Sequence, residues 1–241
     1  MKALSLAALA ALLLLPARAQ DAAPAPVMRE VSPGVYELGR IRLDRAANTV
    51  SFPAAVNKAD ARDLLEYVLV TRHGPTHESL LVTEVQPADL HFAMLLLGAK
   101  GSDDTGIAPA GGQIDAAYLK HAPKLKGDAV EIFVRWKSDD GLEKTAPVEQ
   151  WLLHTGTKKM PAPGPWTYNG SILVEGRFLA QTEGSLAALV VNPSALLNNP
   201  RKGNDDDRAW AVNAKTVPPL DTPLEVVLKL AAPVPQSPTT K

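Results

Sequence analysis

The commonest hydrophobic pattern along the chain has period two. In Val130-Glu131-Ile132-Phe133-Val134-Arg135-Trp136, the residues Val130, Ile132, Val134 and Trp136 share one face while Glu131 and Arg135 take the other, which predicts a half-buried strand. Leu224, Val226, Leu228 and Leu230 repeat the pattern opposite Glu225 and Lys229. The runs Leu64 to Val70, Leu80 to Val85 and Leu186 to Val191 are short and apolar, as strands covered on both faces are, and periodicity alone leaves helix open for them. Asp139-Asp140-Gly141 predicts a hairpin turn from the Val130 strand to a return segment over Glu143 to Val148.

One segment has helical spacing. Pro87 suits a first turn, Leu90, Met94 and Leu97 lie on one face, and Gly98 is placed to end the helix. It is apolar nearly all round, so it is expected to lie against a sheet. Gly101 to Gly127 holds five glycines and two prolines without a clean period and reads as a long loop, with a helical turn near Ala116 to His121. The sequence thus predicts an α+β fold, mainly β, with a largely antiparallel sheet or sandwich, one short buried helix from Pro87 to Leu97, and long loops. A single domain over residues 35–230 is expected.

The ends differ from this middle. Met1-Lys2 is followed by an apolar run from Ala3 to Leu15 broken only by Ser5, and then by Ala17-Arg18-Ala19, the small-x-small form of a cleavage site. Residues 1–19 are therefore read as a signal peptide cleaved after Ala19, too short to span about 30 Å of hydrocarbon. Residues 20–34 form an Ala/Pro-rich leader, and residues 231–241 a Pro-rich flexible tail. This places the chain in the periplasm or outside the cell, and not among integral membrane proteins.

Composition narrows the chemistry. Loss of Lys2 and Arg18 with the signal peptide leaves 23 basic against 26 acidic side chains, a net charge of −3, with no basic stripe. Nucleic acid is not an expected partner. The chain has no cysteine, which excludes disulfides, a lipid-modified cysteine and thiolate metal sites, including a thiolate-bound iron–sulfur cluster.

Several residues are candidates for a site. His73 and His77 are four apart, but Gly74-Pro75 between them favours a turn over a zinc-binding helix face. His77 and Glu78, at the start of an expected strand, could form half of a metal site or an acid/base pair, but the structural reading, in which either satisfies backbone at the end of the turn or bonds to a side chain across the sheet, is the favoured one. Gly203-Asn204-Asp205-Asp206-Asp207 is rich in the oxygen ligands that hard cations prefer, without the EF-hand pattern; Asp205 and Asp207 join His77 and Glu78 as candidate metal ligands. Asp103-Asp104 is a weaker acidic pair, and His91 is expected in the core.

Trp166, Tyr168, Asn169 and Ser171, bracketed by Pro161, Pro163 and Pro165, are the candidate ligand-binding patch, able to stack on a sugar or peptide. The alternative is that the aromatics close the edge of the core and Asn169-Gly170 is a turn. Ser79 and Ser171 lie outside any G-x-S-x-G elbow, and Gly111-Gly112-Gln113 is not a phosphate loop.

The stretch Leu65-Glu66-Tyr67, Gly74, His77-Glu78-Ser79-Leu80-Leu81, Leu90-His91 and Leu95-Leu96-Leu97-Gly98-Ala99 resembles the YdjY-domain family of exported bacterial proteins. Trp166-x-Tyr168-Asn169-Gly170-Ser171, Asn192-Pro193-Ser194-Ala195-Leu196, Asp205-Asp206-Asp207 with Trp210, and Pro218-Pro219 before Thr222-Pro223-Leu224 continue it in order. The resemblance runs from about Val35 to Leu230 and implies no settled activity. Some members carry ferredoxin-like labels, which the absence of cysteine rules out here. The function expected is an exported, non-enzymatic domain that binds or scaffolds a small ligand or protein partner. The alternative is a metal-dependent enzyme or metal carrier using His77, Glu78 and the Asp205 to Asp207 loop.

Overall fold

A computed structural model describes residues 27–102 and 125–231. The expected signal peptide, Asp103-Asp104, the helical turn at 116–121, Gly111-Gly112-Gln113 and residues 232–241 of the tail lie outside the described residues.

The first half of the described chain runs β1 (Met28–Ser32), β2 (Val35–Leu38), β3 (Ile41–Asp44), β4 (Thr49–Val56), β5 (Tyr67–Thr71), β6 (Ser79–Thr83) and α1 (Pro87–Leu97). The second half begins with β7 (Asp128–Lys137), β8 (Glu143–Pro147), β9 (Leu152–His154) and β10 (Trp166–Tyr168). It continues through β11 (Leu173–Val174), β12 (Arg177–Phe178), α2 (Leu179–Glu183), β13 (Ser185–Ala188), β14 (Leu197–Asn198), β15 (Trp210–Val212) and β16 (Pro223–Leu230).

Eight strands close on themselves in the order β4-β16-β7-β10-β14-β13-β5-β6, with β6 pairing back to β4. Closure removes the open edges that a sheet of this size would otherwise present. Most neighbours are antiparallel; β13 with β14 and β5 with β6 are parallel. The hairpins of β1, β2 and β3 extend the sheet from β4, and β8 extends it from β7. The mainly β, α+β fold expected from the pattern is therefore what forms, curled into a barrel rather than stacked as two sheets.

The alternating strands form the centre. Val226 pairs with Phe52 on β4 and with Val134 on β7, and Leu228 with Val50 and Ile132, so one inner face is built across three strands. All six side chains are buried. Pro53 sits inside β4 without breaking a ladder, because pairing with β3 ends at Ser51 and pairing with β6 begins at Ala55. On that side the Pro53 carbonyl accepts the Thr83 hydroxyl at 2.7 Å.

Helix α1 has the bounds that its Pro87 start and Gly98 stop predict, with Gly98 left-handed at φ 98° and its N–H bonded back to Leu95 and Met94. It lies against β3 and β4 through Leu90, Ala93 and Met94, and leaves Phe92 and Leu95 about half exposed. The Asp139-Asp140-Gly141 turn joins β7 to β8, with Gly141 at φ 78° donating to Ser138. Strand β1 falls within the stretch expected to be a leader. Every residue in it is exposed, which is why no buried alternation marks it.

The ends of the long expected loop come together. Asp128 donates its N–H to Lys100, and the Lys100 N–H donates to the Asp128 carboxylate at 2.8 Å. Gly127, at φ 146°, runs against the Tyr168 backbone so closely that a Cβ there would stand 1.8 Å from the Tyr168 carbonyl oxygen.

Candidate functional site

The parallel pairing of β5 with β6 decides what stands at one end of the barrel. Tyr67 is in register with Ser79, so the residue before each strand, Glu66 and Glu78, is brought beside its counterpart. The Glu66 N–H donates to the Glu78 carbonyl at 3.0 Å, extending the ladder by one rung. Residues at equivalent positions of in-register parallel strands project to the same face, and the Glu78 charge acts on the Glu66 carboxyl.

Two further segments complete this rim. His77 belongs to the 3-10 turn Thr76–Glu78 and places Nε2 3.5 Å from the Glu78 carboxylate. The loop before β15 is drawn in where the Leu65 N–H bonds to the Trp210 carbonyl, and it brings the Asp207 charge toward Glu66. Burial raises the Glu66 pKa above the ordinary carboxylate value; the charges of Glu78 and Asp207 raise it further, and His77 opposes them. The neighbouring Tyr67 phenol is pushed up to about 12, first by burial, against the Asn192 amide that donates to its oxygen at 3.0 Å.

Of the sequence candidates, His77, Glu78 and Asp207 act on the Glu66 carboxyl through their charges, while Asp205 and Asp207 are both exposed on the same loop. In that loop, Asp206 accepts the Arg208 N–H at 2.9 Å and shapes the turn. Among the described residues no three His, Asp or Glu side chains are grouped to hold one ion, so the expected set of His77, Glu78, Asp205 and Asp207 is not assembled as a coordination shell. Glu66 is the residue that sequence reasoning missed. Its signal was a glutamate directly before each of the segments that become β5 and β6, which acquires meaning only when those strands pair in parallel.

The residues of the expected ligand-binding patch lie inside the fold. Trp166, Tyr168, Asn169 and Ser171 are each at most 4% exposed, so the arrangement is the alternative one in which the aromatics close the core. Trp166 donates its indole N–H to the Glu149 carboxylate at 2.9 Å, and the Arg201 guanidinium lies 5.3 Å from the Trp166 ring and pairs with the same carboxylate. Asn169 donates to the carbonyls of Pro193 and Ala195 and accepts from Asn198. The Ser171 hydroxyl donates to the Ser194 carbonyl at 2.6 Å and accepts the Ala180 N–H. Their polar atoms are spent inside the fold.

His91 is only half buried. Its Nδ1 stands 2.7 Å from the Tyr168 hydroxyl, the ring packs on Phe178, and burial lowers its pKa. His73 bridges the Thr71 hydroxyl and the Gln181 carbonyl, away from His77.

The YdjY domain family model matches residues 41–229 of the 241. The chain belongs to the YdjY domain family. The match takes in the barrel strands from β3 to β16 and every residue of the carboxylate rim, so the rim is part of the YdjY domain itself. Neither the curated proteins nor the solved structures compared with the chain contain a match. No helix among the described residues is long and apolar enough to cross a membrane.

Proposed function

We propose that this YdjY domain is an exported, non-enzymatic binding domain whose ligand carries positive charge and is held at the rim formed by Glu66, Glu78, Asp207 and His77. One observation carries the reading: the register of Tyr67 with Ser79 sets two glutamates side by side, and the Asp207 charge adds to theirs at Glu66. Like charges held together are relieved either by a proton or by a cation, and near neutral pH a cation competes with the proton on favourable terms. The rim offers carboxylates without an activated nucleophile. The hydroxyl of the adjoining Ser79 is fully buried and donates to the Leu81 carbonyl. Export rests on the apolar run Ala3 to Leu15 and the Ala17-Arg18-Ala19 site, which puts the rim in the periplasm or outside the cell.

Calorimetric titration of the mature protein with spermidine, at low ionic strength and pH 7, tests this. The expected result is binding that weakens at least about tenfold, some 1.4 kcal/mol, in Glu66→Gln and in Glu78→Gln and that falls with added salt. Binding that neither substitution alters, or turnover of a substrate by the purified protein, would overturn it.

A further inference from the structure

The turn that presents His77 and Glu78 holds itself weakly. Its first residue is preceded by Pro75 with no side-chain cap, its bond from the Glu78 N–H to the Pro75 carbonyl is long at 3.3 Å, and the Ser79 N–H closes it on the Thr76 carbonyl. A further restraint comes from another element. Asn57, directly after β4, donates from Nδ2 to the Thr76 carbonyl at 2.6 Å and to the Ser79 carbonyl at 2.7 Å. These two carbonyls bracket His77-Glu78, so both hydrogens of one amide are used on either side of the pair. The Asn57 main chain is itself fixed, its N–H donating to the Leu80 carbonyl at 2.8 Å, with the Lys58 N–H on the same oxygen at 3.2 Å. The amide is therefore anchored to β6 and grips the turn that leads into β6.

We infer that Asn57 is the positioning residue of the carboxylate rim, fixing the 3-10 turn so that the Glu78 carboxyl stands against Glu66. This rests on reading the rim as the binding site. Asn57 is neutral and its amide bonds to main-chain carbonyls, so it acts through the turn and not through charge. A side chain must carry two N–H groups on a short arm to span Thr76 and Ser79 at once, which serine, threonine and aspartate do not.

The test is an NMR titration of the Glu66 side-chain carboxyl in the full mature chain, in wild type, Glu78→Gln, Asn57→Ala and Asn213→Ala. Asn213, whose Nδ2 donates to the Gln150 carbonyl and not to the 3-10 turn, is a buried asparagine and controls for general loosening. Glu78→Gln is expected to lower the Glu66 midpoint by removing the like charge. Asn57→Ala is expected to lower it by at least half as much, and Asn213→Ala to leave it in place. If Asn57→Ala does not fold, Asn57→Ser, which keeps one donor, is measured instead with a smaller lowering expected. A Glu66 midpoint unchanged by loss of the Asn57 amide, while Glu78→Gln moves it, would overturn the positioning role. A midpoint that does not respond to Glu78→Gln would overturn the paired site itself. Failure of spermidine to bind while the Asn57→Ala shift is present would remove the binding reading and leave the positioning role standing.

Discussion

Glu66 is the residue at which burial and charge act in the same direction, both favouring its protonated form. Its folded pKa lies above the unfolded value, so between those two values the native state holds the proton more firmly and stability declines as pH rises. Below the unfolded value, near 4.5, both states are protonated and no penalty applies. Glu66→Gln is therefore expected to raise stability at pH 7 and to leave it unchanged near pH 3.5, as urea denaturation at the two pH values would read. Arg201 presents the opposite case. It pairs with Glu149, a carboxylate 1% exposed whose other partner is the Trp166 indole. Arg201→Met leaves that charge without its counterion and is expected to cost about 3–5 kcal/mol in the same assay. Residue type alone marked His77, Glu78 and Asp207 as chemistry-bearing. It could not mark Glu66, whose role arises from a neighbour twelve positions away in sequence, nor show that Trp166 and Tyr168 face inward, because an aromatic beside prolines reads the same at a surface and at a core edge.

At the scale of elements, α1 separates what composition suggests from what packing does. Its residues are apolar on all sides, yet only Pro87, Leu90, Ala93 and Met94 are buried, because the helix lies over β3 and β4 with one face. Leu90→Ala is expected to cost about 2–5 kcal/mol and Phe92→Ala no more than about 0.5 kcal/mol, a contrast that thermal denaturation would resolve. The helix was legible to its ends because proline and glycine act locally at N1 and C′. Strands β7 and β16 were legible because a barrel wall with one covered face imposes period two on them. Strands β10, β14 and β15 have two or three residues each and leave no room for a period to show. Strand β1 buries nothing, so no apolar signal exists to be read there.

The whole molecule is a closed ring of strands, and closure is what sets the rim. With β6 returning to β4, strand β5 is confined between β13 and β6, and its parallel partner brings Glu78 to Glu66. Alternation predicts strands but not their order, so neither the barrel nor the meeting of the two glutamates was available from the pattern. Export belongs to this scale as well. Intact mass of the protein recovered from its native compartment is expected to match a chain beginning at Gln20, and a mass including Met1 would contradict cleavage after Ala19. The most direct measurement of the account is the titration midpoint of the Glu66 carboxyl in the wild-type chain and in Glu78→Gln. The account predicts a wild-type midpoint above the ordinary glutamate value that falls when Glu78 loses its charge; a wild-type midpoint at the ordinary value, unmoved by the substitution, would contradict it.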